Sequence, residues 1–284
     1  MMILADVPSI EVISLSRGNA KIKIDTFNKR IKIIELNGNL NELLNKLNPL
    51  IEEHKLAKIF HICTEKNLEP FKQEGFIIEA KIDGFLNGLP GYFISKFITT
   101  ERKMSINIPE EEEILIKARE YMDRDFSYLI EDKFIIKTAK EKDSEKLSKL
   151  YDEVFKTYPT PLHDPKFIKW AINNNVLFKL ILSDNKVVSA ASADMDPRYL
   201  NAEMTDCATL KQYRGEGLMG KLIYELENEL KKTNYKILYS MARALSPGMN
   251  IVFSKHDYNY GGRLINHCNI CGQLEDMNIW LKKL

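Results

Sequence analysis

Polar and apolar positions alternate in two short runs near the start of the chain, Lys21-Ile22-Lys23-Ile24-Asp25 and Arg30-Ile31-Lys32-Ile33-Ile34, on either side of the polar segment from Thr26 to Lys29. A period of two around a polar turn predicts a β-hairpin. Asn39 then leads Leu40, Leu43, Leu44, Leu47 and Leu50. That i, i+3, i+4 spacing predicts an amphipathic helix over 39–54 with Asn39 as its cap. A buried strand follows at Lys58 to Cys63, then a short helix from Leu68 to Glu74 stopped by Gly75, then strands at Phe76 to Ile82 and Gly91 to Ile98. Between Thr99 and Lys133 the pattern changes. Pro109 opens a helix with Glu110 to Glu113 first and Lys117 and Arg119 later. Acids before bases complements the helix dipole, so the four glutamates read as the solvated first turn of a linking helix.

Alternation resumes at Phe134. The pattern gives a strand at Phe134 to Thr138 and a helix at Ser144 to Lys156. Three prolines between Thr157 and Pro165 then exclude regular helix. A short helix is expected at Lys166 to Asn173 and strands at Val176 to Leu182, Lys186 to Met195 and Ala202 to Thr209. A helix from about Gly217 to Lys232, a strand at Lys236 to Arg243, a helix near Pro247 to His256, and strands near Leu264 to Cys268 and Met277 to Leu281 complete the chain. Helix and strand alternate throughout, so the class is α/β or α+β. The expected units are 1–100, a helical linker at 101–133, and 134–284.

The chain has 284 residues, which suits one large domain or two of ordinary size. With 44% hydrophobic and 29% charged residues it has material for a core. Lys plus Arg numbers 41 and Asp plus Glu 40, a net charge of +1, which argues against binding nucleic acid or an anionic membrane through bulk charge. No apolar run has the roughly 18 residues a membrane span needs, and Met1 to Asp6 lacks a basic n-region. Cys63, Cys207, Cys268 and Cys271 are too few and scattered for a disulfide framework. The expectation is a soluble, reduced, cytoplasmic protein.

The segment Gln212-Tyr213-Arg214-Gly215-Glu216-Gly217-Leu218-Met219-Gly220-Lys221 follows an expected strand and opens a helix with Leu218, Leu222, Ile223, Leu226 and Leu230 on its apolar face. A glycine-containing turn entering a helix leaves several backbone N–H groups unpaired at the positive end of the dipole, a site suited to a diphosphate. Standing alone, such a turn serves equally as a plain connection. It lacks the Gly-Lys-Ser/Thr of a P-loop, and its surroundings are not those of a dinucleotide fingerprint.

Arg-Gly-x-Gly after a strand resembles the acetyl-CoA-binding motif of the GNAT N-acetyltransferase family, over roughly Phe134 to Leu284. The resemblance implies a mixed, mostly antiparallel sheet in which the strand before the loop splays from its neighbour and holds the pantetheine arm. It places Thr209, Leu210, Arg214, Gly215, Glu216, Gly217, Leu218, Met219, Ser246 and Asn250 at the cofactor, and Glu203 where several members carry the general base. An attacking ammonium must lose a proton before it reaches a thioester, and a carboxylate takes it directly or through water. Strand alternation sets Glu203 and Asp206 on opposite faces unless a bulge intervenes, and a bulge here is a family feature. The alternative for Glu203 is a solvent-facing or lysine-paired carboxylate. Met219 stands where the family has Gly or Ala, so its side chain is expected to point away from the diphosphate. Phe253 stands where the usual proton-donating tyrosine does, and Tyr258 falls at a packing position, so the acid is unassigned.

The segments Asp83-Gly84-Phe85-Leu86-Asn87-Gly88, Tyr158-Pro159, His163-Asp164-Pro165, Ala202-Glu203-Met204-Thr205-Asp206, Gly248-Met249-Asn250, Tyr260-Gly261-Gly262 and Glu275-Asp276-Met277-Asn278-Ile279-Trp280 resemble the β-lysine N-acetyltransferase family. This implies acetyl transfer from acetyl-CoA to the N6 amine of β-lysine, giving a neutral osmolyte made under salt stress. Asp206, Arg243, Asn266 and Asn269 are the candidate substrate contacts, although Arg243 serves equally as a cap on the sheet. His163 is either part of a lid or a surface residue. The order of elements in residues 1–100 echoes the C-terminal part of the same fold, with Leu36-Asn37-Gly38-Asn39 in place of the glycine-arginine loop. That predicts a degenerate half domain that packs on the active half or mediates a homodimer. Cys268 and Cys271 have ligand spacing, but there is no second pair, and strand alternation explains them without a metal. An acetyltransferase for another small amine, or an acyl-CoA sensor without turnover, are the competing readings.

Overall fold

A computed structural model describes residues 9–122 and 127–284. The N-terminal reading of Met1 to Asp6, and residues 123–126 of the expected linker, lie outside the described residues. The first half comprises β1 (Ser9–Ser14), β2 (Asn19–Asp25), β3 (Arg30–Asn37), α1 (Leu40–Glu53), β4 (Lys58–Cys63), α2 (Leu68–Gln73), β5 (Ile77–Leu86) and β6 (Leu89–Phe97). Helices α3 (Thr100–Lys103) and α4 (Ile108–Arg119) connect it onward. The second half comprises β7 (Ile135–Thr138), α5 (Ser144–Val154), α6 (Pro165–Ile172), β8 (Val176–Ser183), β9 (Lys186–Asp196), β10 (Asn201–Thr209), α7 (Leu218–Lys232), β11 (Ile237–Arg243), α8 (Pro247–Lys255), β12 (Asn259–Ile270) and β13 (Gln273–Lys283).

Most expected elements fall within a few residues of their observed bounds. Strand β1 was not anticipated; it is a short edge strand whose Ile10 and Val12 stay exposed, so it carries no core-facing alternation. Strands β12 and β13 are longer than the pattern indicated; in β12 register shifts after Tyr260 and Leu264 interrupt the period of two. The glutamate run is also not simply solvated. Glu111 is buried against the buried Arg263, at 3.3 Å, and Glu112 meets the same guanidinium at 2.9 Å. A buried arginine needs carboxylate partners, and α4 supplies them.

Among the described residues the thirteen strands form one sheet, ordered β1-β2-β3-β4-β6-β5-β12-β13-β11-β10-β9-β8-β7. The order contains itself twice. Strands β2-β3-β4-β6-β5 and β9-β10-β11-β13-β12 have the same pattern, each with one parallel pair (β3·β4 and β10·β11) crossed by a helix, α1 or α7. The two sets meet through β5 and β12, at Gly262 opposite Ala80. Each set has its own core: Ile22, Ile31 and Ile33 pack with Leu43 and Leu47, and Ala193, Met204 and Leu238 pack with Leu222 and Leu226.

A third cluster joins the two, with Phe60, Phe85 and Phe93 of the first half, Ile237, Leu264 and Ile279 of the second, and Tyr239 against them. The rings of Phe93 on β6 and Tyr239 on β11 lie 6.4 Å apart. Four strand spacings separate these strands in the sheet, roughly 19 Å if it were flat. The sheet therefore curls, and the β5–β6 hairpin reaches over β10, where Asn201 donates to the Phe85 carbonyl at 2.8 Å. Buried polar groups fix the junction. Lys58 and Glu79 form a fully buried ion pair at 2.8 Å and grip the Ile265 backbone, Lys58 donating to its carbonyl and Glu79 accepting from its N–H, each at 2.7 Å. Burial pulls the Lys58 ammonium down to about 8. Removing one member would leave the other charge buried alone.

The seam between the halves leaves no room at Gly262. Its φ is +135°, and a Cβ there would meet the Glu79 carbonyl oxygen at 2.3 Å and the Ala80 Cα at 2.6 Å. Gly262→Ala is expected to lower stability by about 2–4 kcal/mol, whereas Gly248→Ala, with nothing within 4 Å, stays near wild type; chemical denaturation of the two variants measures the difference.

Candidate active site

The register of β8 to β11 decides which side chains meet. Glu203 pairs across the ladder with Asp194 on β9 and with Tyr239 on β11, and Asp194 pairs in turn with Val176 on β8. Residues opposite one another project from the same face, so Val176, Asp194, Glu203 and Tyr239 form one row. Two like charges directly opposed in a sheet are destabilising, and a fold that keeps them does so at a cost.

Asp206 joins the row through a bulge. The register of β10 on β9 shifts between Thr205 and Ala208, and Asp206 adopts a left-handed φ of +53°. The extra residue returns the carboxylate to the face of Glu203. Both line a cleft of about 200 Å³ together with Asp194, Thr160, Thr205 and Asn174, walled by Phe167, Trp170, Ala171, Val176 and Phe178. Three carboxylates beside an apolar and aromatic wall match an aliphatic chain carrying ammonium groups.

The carboxylates hold their protons more tightly than usual. Burial, then the charges of Asp194 and Asp206, push Glu203 up to about 8, against the pull of Lys32 and a hydrogen bond donated by the Tyr239 hydroxyl at 3.3 Å. Burial raises Asp206 to about 6, although Ser192 donates to it at 2.7 Å and Tyr158 donates as well. Asp194 is raised by burial and by Asp196. A carboxylate near 8 is matched to accepting a proton from an amine at neutral to mildly alkaline pH.

Strands β10 and β11 pair only at Asn201, Ala202 and Glu203 and then diverge. The facing edges beyond Glu203 are thus open, and the gap leads from the carboxylates toward the loop before α7. There Gly215 and Gly217 have φ of +87° and +74°, with no atom within 4 Å of where a Cβ would stand. Gly217 caps α7 without any side-chain hydrogen bond. The first amides of a fifteen-residue helix are therefore available to an anion. Arg214 is exposed and donates from Nε to the Thr209 carbonyl at 3.2 Å, which holds it at the rim. Met219 is partly buried and packs against the core of the second half. Thr209 shares a 2.8 Å hydrogen bond with Ser189, Glu216 lies 3.6 Å from Lys133, and Leu218 is buried beneath the loop.

Several expected site residues lie elsewhere. Leu210 is buried and its amide is used on Val188, so it forms the floor of the loop. Asn250 is fully buried; it donates to the carbonyls of Arg243 and Ser246 and accepts from Asn278 and Trp280, which makes it a tie between α8 and β13 rather than a cofactor contact. Ser246, just before α8, is half-buried near the end of β11. Arg243 pairs with Glu275 at 2.6 Å. The Asn266 amide donates to the carbonyls of Arg102 and Met104, and Asn269 bonds to Asn28 and Phe27. Both asparagines bind β12 to the first half and its connection, because the sheet continues past the expected boundary; neither lines the cleft. His163 lies outside the cleft lining as well, while its neighbour Thr160 is in it. Phe253 and Tyr258 are fully buried, so neither reaches the cleft. Cys268 is buried beside Arg30, and among the described residues no group of three or more His, Cys, Asp or Glu could hold a metal.

Asp194, Tyr239, Tyr158 and Ser192 were missed. Ser192, Asp194 and Asp196 are polar at alternate positions of an otherwise small and apolar strand, a signal that was available. A model of the acetyltransferase (GNAT) family matches residues 144–246. The beta-lysine N(6)-acetyltransferase of Methanococcus maripaludis is 39% identical, over 92% of this chain and 95% of its own. The chain belongs to the GNAT acetyltransferases. The beta-lysine N(6)-acetyltransferase of Methanosarcina mazei is 32% identical, over 87% of this chain and 98% of its own, and N-acetyltransferase YodP of Bacillus subtilis is 34% identical over 97% and 100%. These GNAT relatives extend well beyond the 144–246 match, so the first half is shared with them.

The raised carboxylates make stability depend on pH with a definite sign. Glu203 favours the fold while protonated, and that contribution is lost as pH rises from its ordinary 4.5 through about 8. Glu203→Gln is therefore expected to unfold like wild type near pH 5 and to be about 1–3 kcal/mol more stable near pH 9. Thermal unfolding at the two values checks this; an equal difference at both would contradict it.

Proposed function

We propose that this GNAT enzyme transfers the acetyl group of acetyl-CoA to the N6 amine of β-lysine. The observation that carries the reading is the junction at Glu203, where the pairing of β10 with β11 ends and the carboxylate row begins. The names of two beta-lysine acetyltransferase relatives support the substrate. The diphosphate fits the amides from Gly215 to Gly220, with Arg214 at its rim. The pantetheine arm fits the gap between the diverging strands and brings the thioester toward Glu203.

The substrate's side-chain ammonium enters a cleft of three carboxylates, which hold it by charge and hydrogen bonds. Its arrival supplies the positive charge that the buried carboxylates lack, so Glu203 and the amine share a proton readily. Glu203 takes that proton and the free amine attacks the thioester carbonyl. The tetrahedral intermediate then expels the thiolate, which takes up the second proton that the nitrogen sheds as the neutral amide forms. A thiol pKa of about 8.5 lets it leave near neutral pH without a strong acid. Tyr158 is held well above 10 by burial, then by Asp206 and Cys207, so it orients Asp206 more readily than it gives up a proton. The product has lost one of two ammonium charges and is a neutral zwitterion, suited to accumulate in the cytoplasm as a compatible solute.

The first half reads as a degenerate repeat of the same fold. It keeps the strand order and the crossover helix, but Asn39 caps α1 by accepting from the Glu42 N–H at 2.9 Å. An N-terminus satisfied by its own side chain has lost an amide that an anion would use.

Incubation with acetyl-CoA and β-lysine should release CoA and yield the N6-acetyl product by mass analysis. In wild type kcat/KM should rise with pH toward a plateau above about 8. Glu203→Gln should lower kcat by roughly 10²- to 10⁴-fold and flatten that limb, with acetyl-CoA binding retained. An unchanged rate in the variant would remove Glu203 from the role.

A further inference from the structure

The two halves carry matching rows of opposite charge. Counted from the first pair of each parallel ladder, Arg30 with Lys58 and Asn201 with Ile237, the third pair is Lys32 with Phe60 in the first half and Glu203 with Tyr239 in the second. Across the antiparallel neighbour, Glu203 faces Asp194 and Lys32 faces Lys23. Where one half sets Asp194, Glu203 and Tyr239 side by side, the other sets Lys23, Lys32 and Phe60. A bulge follows in both strands, after Ile33 in β3 and after Thr205 in β10. Lys32 is thus the counterpart of Glu203.

The curl of the sheet turns these rows toward each other. Phe60 contacts Phe93 with ring centres 5.9 Å apart, Phe93 contacts Tyr239 at 6.4 Å, and the Tyr239 hydroxyl bonds Glu203. An aromatic floor therefore runs from one row to the other. The Lys32 ammonium lies over the Phe60 ring at 5.9 Å and has no hydrogen bond or ion pair among the described residues. Lys32 and both Asp194 and Glu203 act on one another through space, without touching. Burial and the neighbouring Arg30 pull the Lys32 pKa down, as expected for an ammonium without a bound anion. Two lysines held opposite one another cost stability, and a partly buried ammonium without an anionic partner costs more.

We propose that Lys32, seconded by Lys23, binds the carboxylate of the substrate while the carboxylate row receives its distal ammonium. This rests on the amino-acid substrate of the preceding section and deepens it: the half without a cofactor site contributes the selectivity for a diamine that bears a carboxylate. A substrate with cationic and anionic ends spans the gap in one orientation, so the amine far from the carboxylate is the one set before Glu203.

The test compares wild type and Lys32→Met on β-lysine, on β-lysine amide, and on cadaverine, a diamine with no carboxylate. Wild type should prefer β-lysine over its amide by roughly tenfold to hundredfold in kcat/KM, the worth of a hydrogen bond between charged groups. Lys32 also lowers the Glu203 pKa, so rates are compared on the alkaline plateau of each variant. There Lys32→Met should raise KM for β-lysine by a similar factor, change kcat/KM for cadaverine far less, and erase the preference over the amide, and Lys32→Arg should restore part of it. A variant that loses activity equally on all three substrates would show a structural role and overturn the proposal. So would wild type that does not distinguish β-lysine from its amide, a result that needs no variant. Failure of wild type to acetylate β-lysine at all would instead defeat the functional reading itself.

Discussion

The carboxylate of Asp194 opposite that of Glu203 on the next strand is the constraint on which the site depends. Adjacent strands with like charges directly across from each other repel, and burial in the cleft strengthens the repulsion because water is not there to screen it. The fold keeps the pair because the rest of β9 and β10 is well fixed: Ala193, Ala202 and Met204 are buried beneath α7, and a slip of one residue would turn them out to solvent. Burial first, and the Asp194 charge next, make Glu203 hold its proton. One register thus sets the raised pKa of Glu203 and the grouping of three carboxylates in one cleft.

The second organising feature is the curl that brings one half of a thirteen-stranded sheet over the other. It packs Phe93 of the first half against Tyr239, whose hydroxyl bonds Glu203. Curling requires close backbone approach at Gly262, and it buries charged groups beside that seam. Lys58, Glu79 and Arg263 are each paired. Such pairs add little net stability, but any other docking of the halves would strand a buried charge. The junction thus fixes where the first half stands relative to Glu203, and through it where Lys32 points.

Much of this was legible in the residues. The leucine spacing after Asn39, the turn Arg214-Gly215-Glu216-Gly217 and the alternation on either side give the elements and the family's fold, because each signal is local: a period, a cap, a positive φ. Glu203 was legible from its place in a motif. Asp206 was legible only together with a bulge, since simple alternation would have sent it to the other face. Arg243, Asn250, Asn266 and Asn269 were misplaced for a common reason. A polar residue near a site in sequence order looks available for a ligand, yet each of these is occupied by a protein partner, in the last two cases one more than 160 residues away.

By itself the sequence determined the alternation of helix and strand, the repeat of one element order in both halves, the glycine turn that opens α7 and the identity of one carboxylate of the cleft. Those follow from interactions between residues close in the chain. Only the tertiary structure decided that Asp194 stands across from Glu203, that the strands diverge just beyond it, and that the lysines of the first half confront the acids of the second. Strand pairing and sheet curvature join residues far apart in the chain, and the contacts they create depend on register and buried partners that no local pattern encodes.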